Sequence, residues 1–293
     1  MDESRERQLA EALAHLMDGE HIAKPLPARR APRRGSDRSA DGVPSGPGGV
    51  ALRGAHMIDL DRLRSAFPDR QILHFDSIDS TQRAAATCER GTIVLADCQL
   101  AGQGRHGHTW HSEPGAGIYC SLVLGPSPVL TLALGLAVVE AIAQATGIQC
   151  DLRWPNDLML DNRKAAGILV QLVNGQAIAG IGINVNHTEF PGDIRGEAIS
   201  LRQHAGREFA REDILFALFP AIDSLISEDP ETILRLFTHA SSYVAGRRVR
   251  VDQPGGAIIG TTAGLDPAGF LIVRQDDGTD TLILAGGVRA AGS

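Results

Sequence analysis

The chain has 293 residues, of which 43% are hydrophobic, 22% charged and 4% aromatic, and its formal net charge is −7. That length supports one large domain or two smaller ones with a sizeable core, and the acidic balance excludes nonspecific nucleic-acid binding by the whole surface. The four cysteines (Cys88, Cys98, Cys120, Cys150) show no C-x-x-C spacing and no secretory signal opens the chain. Reduced thiols and a cytoplasmic location are therefore expected.

In chain order, Leu9, Leu13 and Leu16 at helical spacing predict a short amphipathic helix over 5–17. Lys24 to Arg38 then hold six basic residues and one acid, a net of +5, so the remainder of the chain carries −12 of the total −7. With the Ser/Pro/Gly-rich Ala40–Gly49 this predicts a disordered linker over roughly 24–50, most simply a solvated tail. Order resumes with a capped helix over Asp59–Phe67, a strand over Gln71–Phe75, a helix from Thr81 to about Glu89 capped by Ser80 or Asp79, and a strand over Thr92–Ala96. A second strand, Ile118–Leu124, precedes a nearly all-apolar helix over Val129–Thr146 that must be buried. The uncharged span Pro114–Val139 is long enough to test as a membrane helix, but Gly125-Pro-Ser-Pro128 breaks it, so no transmembrane segment is expected. Pro155 ends any regular element. Ala165–Val173 and Gln176–Val185 read as strands of a hairpin turning at Asn174-Gly175, and Glu212–Leu225 and Glu231–Ala240 as helices. From Gly246 onward short strands (Val249–Val251, Ala257–Gly260, Phe270–Val273, Thr281–Leu284) with Gly-containing turns predict a small all-β barrel attached to an α+β domain.

Chemistry concentrates in two stretches. Gln99–Trp110 places Gly102, Gly104 and Gly107 beside Arg105, directly after an apolar strand. Glycines let backbone N–H groups approach an anion, and an arginine adds bidentate charge. The spacing G-x-G-x-x-G also fits a dinucleotide fingerprint, but a strand follows instead of a helix and no acidic residue stands about 20 positions on, which leaves an anion-binding loop between strands. The second stretch is Arg153-Trp-Pro-Asn-Asp157, Lys164 and Gly167-Ile168, where a lysine entering a buried strand would aim a compact charge at an anion. Asp157, beside a proline-fixed turn, would hold Mg2+ through water or orient a polar group. His106, His108 and His111 are offset by two and three residues, fit no helical face and lack a placed Cys or Asp partner, so no metal is assigned to them. No G-x-S-x-G elbow is present, which argues against a covalent hydrolase. An anion cradle without an enzyme nucleophile suggests phosphate or acyl-phosphate transfer governed by charge.

These stretches resemble the biotin–protein ligases. GQGRHGHTWHSEPGAGIYCSLVL is similar to the family's biotin- and phosphate-binding loop, GRGRxGRxWxSPxGxxLYxSxxL, and RWPNDLMLDNRKAAGIL to its KWPND…KxxGIL. Ser80-Thr81-Gln82 resembles S-T-N, Gly182-Ile-Asn-Val-Asn186 resembles G-I-N-x-N, and the likeness spans about residues 70–290. It implies an α+β fold of the class II aminoacyl-tRNA synthetase and biotin ligase type. The expected divisions are an N-terminal extension over 1–55, a catalytic domain over 56–242 and an SH3-like barrel over 243–293. It further implies that ATP activates biotin to biotinyl-5'-AMP, with Mg2+ inferred, and that biotin passes to a lysine of a carboxylase's biotin carboxyl carrier domain. Ser80, Thr81 and Gln99 would bond the ureido head, with Gln82 and Gln103 in the same biotin-binding set. Trp110 would line the apolar tail, facing Gly167 and Ile168. Gly102, Gly104, Gly107 and Asn156 would belong to the adenylate site, Arg105 would contact phosphates and Lys164 would neutralise the reacting carboxylate and α-phosphate. Asn184 would face adenine, and Asp157 would join Lys164 and Arg105 in the catalytic set.

Departures from the family pattern carry expectations of their own. Gln103, His106 and His108 stand where arginines are common, which predicts weaker, pH-dependent retention of the adenylate. Val288 replaces a usual acidic residue after Gly286-Gly287. Two relatives of the reading stay open: a lipoate ligase, and a ligase that is also a DNA-binding repressor. For the second, Gln8–Glu20 resembles the first helix of a winged helix, but 24–49 cannot supply the rest, so DNA binding is not expected. A homodimer stays open.

Overall fold

The computed structural model describes residues 58–253 and 256–291. The expected helix at 5–17, the basic linker and any winged-helix remnant lie outside the described residues.

The larger of two sheets has seven strands in the order β1-β2-β3-β7-β6-β5-β4. Its first half comprises β1 (Ile72–Phe75), β2 (Ile93–Ala96) and β3 (Gly117–Leu124). The second half comprises β4 (Asp151–Arg153), β5 (Asp157–Leu160), β6 (Arg163–Val173) and β7 (Gln176–Asn184). Only β1 and β2 run parallel. The period-two alternation of a strand sorts β3 cleanly. Ile118, Cys120, Leu122 and Leu124 join the main core, whereas Val123 joins Ala85, Val94 and Ile178 in a small cluster on the opposite face. The main-core face is covered by the long helix α3 (Leu130–Thr146), on which α5 (Arg211–Ile226) and α6 (Pro230–Ala240) pack. α3 is apolar nearly all round because it lies between the sheet and these helices, and Gly147 ends it in the left-handed conformation at φ 79°. The other face carries only the short α2 (Thr81–Ala85), after α1 (Leu60–Ala66), and so leaves room for a cleft.

Several elements differ from expectation. α2 stops at Ala85 rather than near Glu89, because Thr87 and Cys88 tighten into i to i−3 backbone bonds and their side chains donate to the Ala84 carbonyl. The Asn174-Gly175 turn has φ of 51° and 78°, as a two-residue hairpin of the primed type requires. β4 and β5 are additional, three and four residues long, and a second turn at Asp161-Asn162 (φ 50° and 59°) joins β5 to β6. Strands that short carry too few alternations to be read from periodicity. α4 (Leu201–Ala205) is also additional, held by a Ser200/Gln203 capping box and ended by Gly206.

The smaller sheet is antiparallel, five strands in the order β11-β10-β9-β8-β12. They are β8 (Ala245–Gln253), β9 (Gly256–Leu265), β10 (Leu271–Arg274), β11 (Asp280–Ile283) and β12 (Val288–Ala290). Val288, which stands where the family pattern has an acidic residue, is buried in β12 and packs with the core. The two sheets share one apolar core through Val249, Val251 and Phe270. They are also pinned by the buried Trp154, whose Nε1 donates to the Gly269 carbonyl at 2.9 Å, and by Ser241 Oγ donating to the Leu152 carbonyl at 2.5 Å.

Candidate active site

The cleft lies on the sheet face away from the main core, between α2, the loop following β2 and strands β3, β6 and β7, and encloses about 440 Å³ including its open mouth. One end is a polar cluster. Gln99 Oε1 accepts from the Thr81 backbone N–H at 2.9 Å and lies 3.1 Å from Thr81 Oγ1, while Gln99 Nε2 donates to Ser112 Oγ at 3.1 Å. Ser121 Oγ is 2.9 Å from Thr81 Oγ1 and donates to Gln82 Oε1 at 3.1 Å, and Gln82 Nε2 donates to the Ile178 carbonyl at 2.8 Å. Ser80 occupies the N-cap position of α2, yet its side chain makes no capping bond. Its hydroxyl instead faces Gln103 Oε1 at 3.5 Å. The serine reads in sequence as a helix cap, but its hydroxyl is spent on the cleft.

The wall is Trp110. Its indole rests on Gly167 of β6 and Gly182 of β7, which are register partners across the sheet. A Cβ at Gly182 would meet the indole at 2.4 Å and one at Gly167 would meet it at 3.0 Å, so only glycine leaves the ring its seat. Ile168, expected beside Gly167 as part of this wall, borders the cleft but sends its side chain into the main core. The facing surface is therefore glycine on glycine. The loop glycines also do something other than cradle an anion. The Trp110 N–H donates to the Gly102 carbonyl at 2.9 Å, and a Cβ on Gly102 would meet the Trp110 carbonyl oxygen at 2.7 Å. The Gly104 N–H is taken by the His108 carbonyl at 2.7 Å. The loop is a narrow hairpin with Gln103 bridged to Thr109, turning through His106 (φ 54°) and Gly107 (φ 74°). Of the three glycines only Gly104 lines the cleft.

The other end is cationic. Lys164 Nζ stands 5.5 Å over the Trp110 ring and pairs with Asp157 Oδ1 at 2.6 Å. Asp157 Oδ2 is held by Arg153 Nη2 at 2.6 Å. Burial alone would raise the Asp157 carboxyl, but Lys164 and Arg153 more than offset it and hold it below the usual carboxylate range. Arg105 Nη1 donates to Asn156 Oδ1 at 2.9 Å, and Asn156 Nδ2 to the Ile168 carbonyl at 2.9 Å. The Arg105 guanidinium is pushed down by burial and partly restored by Asp157, and its buried Nη2 has no hydrogen-bond partner. An unpartnered guanidinium N–H at the edge of a cleft suits an oxyanion. Asn184, expected to face a base, is buried and donates to the carbonyls of Lys164 (3.3 Å) and Ile199 (3.2 Å), so it acts on the cleft by fixing the lysine's strand.

The structure thus brings Ser80, Thr81, Gln82, Gln99, Gln103, Gly104, Arg105, Trp110, Asn156, Lys164, Gly167 and Ile168 to one cleft. Asp157 lies behind Lys164, Asn184 beneath it, and Gly102 and Gly107 in the loop. Sequence reasoning gave no role to Ser121 or Gly182, although both stand in the quoted motifs, and missed Gly180. Ser121 alternates with Cys120 and Leu122 on a fully buried strand, a polar residue where the pattern asks for none. A Cβ on Gly180 would meet Gln82 Oε1 at 2.6 Å. These glycines stand at alternate positions of β7, which is the signal that one face of that strand admits close approach.

Two family models match the chain: the biotin/lipoate A/B protein ligase family over residues 74–187, and the biotin protein ligase C-terminal domain over 244–288. The chain is 31% identical over 237 residues to a bifunctional ligase/repressor BirA of Bacillus subtilis, covering 74% of this chain and 73% of that protein. It is 30% identical over 223 residues to a biotin–[acetyl-CoA-carboxylase] ligase of Mycobacterium tuberculosis, covering 71% and 82%. Among solved structures, a biotin protein ligase from Aquifex aeolicus in complex with biotin and ATP superposes with a TM-score of 0.69 at 30% identity, covering 75% of this chain and 99% of that one.

Proposed function

This chain belongs to the biotin protein ligase family, and from that premise we propose how its own cleft carries out the reaction. The chain is an ATP-dependent biotin–protein ligase. The observation that carries the reading is a cleft with a neutral hydrogen-bonding cluster at one end, an indole wall in the middle and two cations at the other. Biotin has that order of parts: a ureido head, an apolar tail and a carboxylate. Thr81, Gln99 and Ser121 would bind the head, with Gln82 and Ser80 in support, and Trp110 would cover the tail. Arg105 and Lys164 would meet the carboxylate and the phosphates.

Biotin's carboxylate oxygen attacks the α-phosphorus of ATP, the bond to the β-phosphate breaks, and pyrophosphate leaves. Like charges then meet at bonding distance, where each unit pair at ~4 Å and an effective dielectric of ~20 costs about 4 kcal/mol. Lys164 sets one positive charge at that point, oriented from behind by Asp157, and Arg105 sets a second, oriented by Asn156. The mixed anhydride, biotinyl-5'-AMP, is then attacked at its acyl carbon by the amine of a carrier lysine, and AMP leaves. The hairpin carrying Trp110 would cover the anhydride and keep water from it. Mg2+ would enter with the triphosphate rather than on a site of the protein. No carboxylate lines the cleft among the described residues, and Asp157 is already held between two cations. No step is therefore assigned to the metal.

We propose a division of the chain into a catalytic unit over 56–242 and an SH3-like unit over 243–293, each built on one of the two sheets, with a biotin carboxyl carrier domain as partner and a cytoplasmic location. No helix among the described residues is long and apolar enough to cross a membrane. The C-terminal match to a biotin-ligase domain favours biotin over lipoate. Incubating the chain with ATP, Mg2+, a carrier domain and either acid, then weighing the carrier, tests this directly. The expected result is a gain of one biotinyl group; a lipoyl gain, or no gain, overturns it.

A further inference from the structure

Just past the indole, the descending leg of the same loop meets the end of β7 at a cluster the ligation chemistry does not use. His111, Glu113 and His187 each offer a ligand-capable atom, and these atoms lie within 4.8 Å of one another. We propose that the three side chains form a binding site for a transition-metal ion of the zinc type, which clasps the leg of the loop to His187.

Two observations point to a ligand rather than to a chance grouping. The first is the hydrogen-bond network around His187, which is fully buried. Tyr119 Oη donates its single proton to the Glu113 carbonyl at 2.9 Å. At the 3.1 Å contact with His187 Nε2 the hydroxyl must therefore accept, so Nε2 carries the ring proton and Nδ1 carries the lone pair. That Nδ1 is buried and has no hydrogen-bond partner. Buried polar atoms are almost always satisfied, and a lone pair left bare inside a protein calls for a donor or a cation. A histidine whose far nitrogen donates to an oriented oxygen is also the arrangement that fixes metal-ligating imidazoles.

The second observation is the company His187 keeps. Its ring stacks on Phe190 at 5.1 Å and lies 5.9 Å from the His111 ring, so an apolar wall holds it in place beside a second imidazole. Two imidazoles and one carboxylate are a common zinc set with a fourth position left for water. Tetrahedral bonds of ~2.0–2.1 Å place ligand atoms about 3.3 Å apart, so the separations must contract by up to about 1.5 Å. His111 and Glu113 are half-buried and have the freedom to turn inward. The ligand-capable atoms of His74, Asp76 and Asp97 also lie within 4.8 Å of one another, but Asp97 is already paired with Arg211 and bonded to His74.

The test uses chelator-treated full-length protein titrated with Zn2+ alone by calorimetry, and with Co2+ followed by absorption. One ion per chain should bind, the cobalt form should show the d–d bands of a tetrahedral ion, and Zn2+ should raise the melting temperature with concentration. His111→Ala and Glu113→Gln, both at half-exposed positions, should each weaken binding at least tenfold, while His239→Ala on the exposed face of α6 should leave it unchanged. Absence of saturable one-to-one binding, binding unchanged in both variants, or a cobalt–thiolate charge-transfer band would each overturn the assignment.

Discussion

Adding one methyl group at Gly182 tests the geometry of the cleft most sharply. The Cβ of Gly182→Ala would stand 2.4 Å from Trp110 Cε2, 2.6 Å from Cζ2 and 2.8 Å from Nε1, against 3.4 Å or more for ordinary contact, so about 1 Å must open somewhere. The strand cannot supply it, because Gly182 is paired to Tyr119 on one side and Gly167 on the other. The indole must leave its seat, and the loop with it, since the Trp110 N–H is tied to Gly102. Overpacking of this kind costs about 1–3 kcal/mol. Because it falls on the loop rather than on the sheet, we expect it in ligand affinity: about 5- to 150-fold weaker biotin binding at 1.4 kcal/mol per tenfold. Calorimetric titration with biotin measures it, and a cycle with Trp110→Ala isolates it. Removing the indole removes the three nearest contacts of the added methyl, so the double variant should bind as Trp110→Ala alone does. Biotin affinity within twofold of wild type in Gly182→Ala, or additive effects in the cycle, would refute the seating of Trp110 on Gly182.

Three further outcomes follow. Lys164→Ala should lower the rate of adenylate formation by about 10²–10³-fold, measured as biotin-dependent pyrophosphate exchange, and a near-normal rate would remove the lysine's role. Asp157 is held below the usual carboxylate range, so the stability it contributes is present above the unfolded pKa of about 4 and is lost as pH falls through the folded value. The stability difference between wild type and Asp157→Asn should therefore stay flat from pH 7 to about 4 in urea titrations and shrink below; a difference that already fades by pH 6 contradicts the pairing. Trp154→Phe removes the bond to the Gly269 carbonyl that joins the two sheets. It should cost about 1 kcal/mol and lower the melting temperature by about 2–4 °C in scanning calorimetry, and an unchanged transition would show that the contact contributes nothing.

What could be read from residues alone was whatever depends on local pattern. The burial of α3 follows from an apolar run with no polar face, the β6–β7 hairpin from Asn174-Gly175, and the two chemical stretches from glycines, arginine and lysine at recognisable spacings. The additional strands β4 and β5 escaped because three or four residues hold too little periodicity, although Asp161-Asn162 carried a turn signal. Roles that depend on which atom a side chain reaches were not legible. Ser80 has the composition of a helix cap and the geometry of a cleft residue, and Asn184 lies in a ligand-binding motif but spends its amide on Lys164 and Ile199.

The linear chain by itself determined the family, the longer elements and the place of Arg105, Trp110 and Lys164, because motif spacing and hydrophobic period are properties of neighbours in sequence. Only the tertiary structure decided that Gly167 and Gly182, 15 positions apart, pair across β6 and β7 to seat one indole. It alone also placed Asp157 behind Lys164 and brought His187 to His111 and Glu113. Contacts between strands depend on register and on which face each residue takes, and those are settled when the core packs.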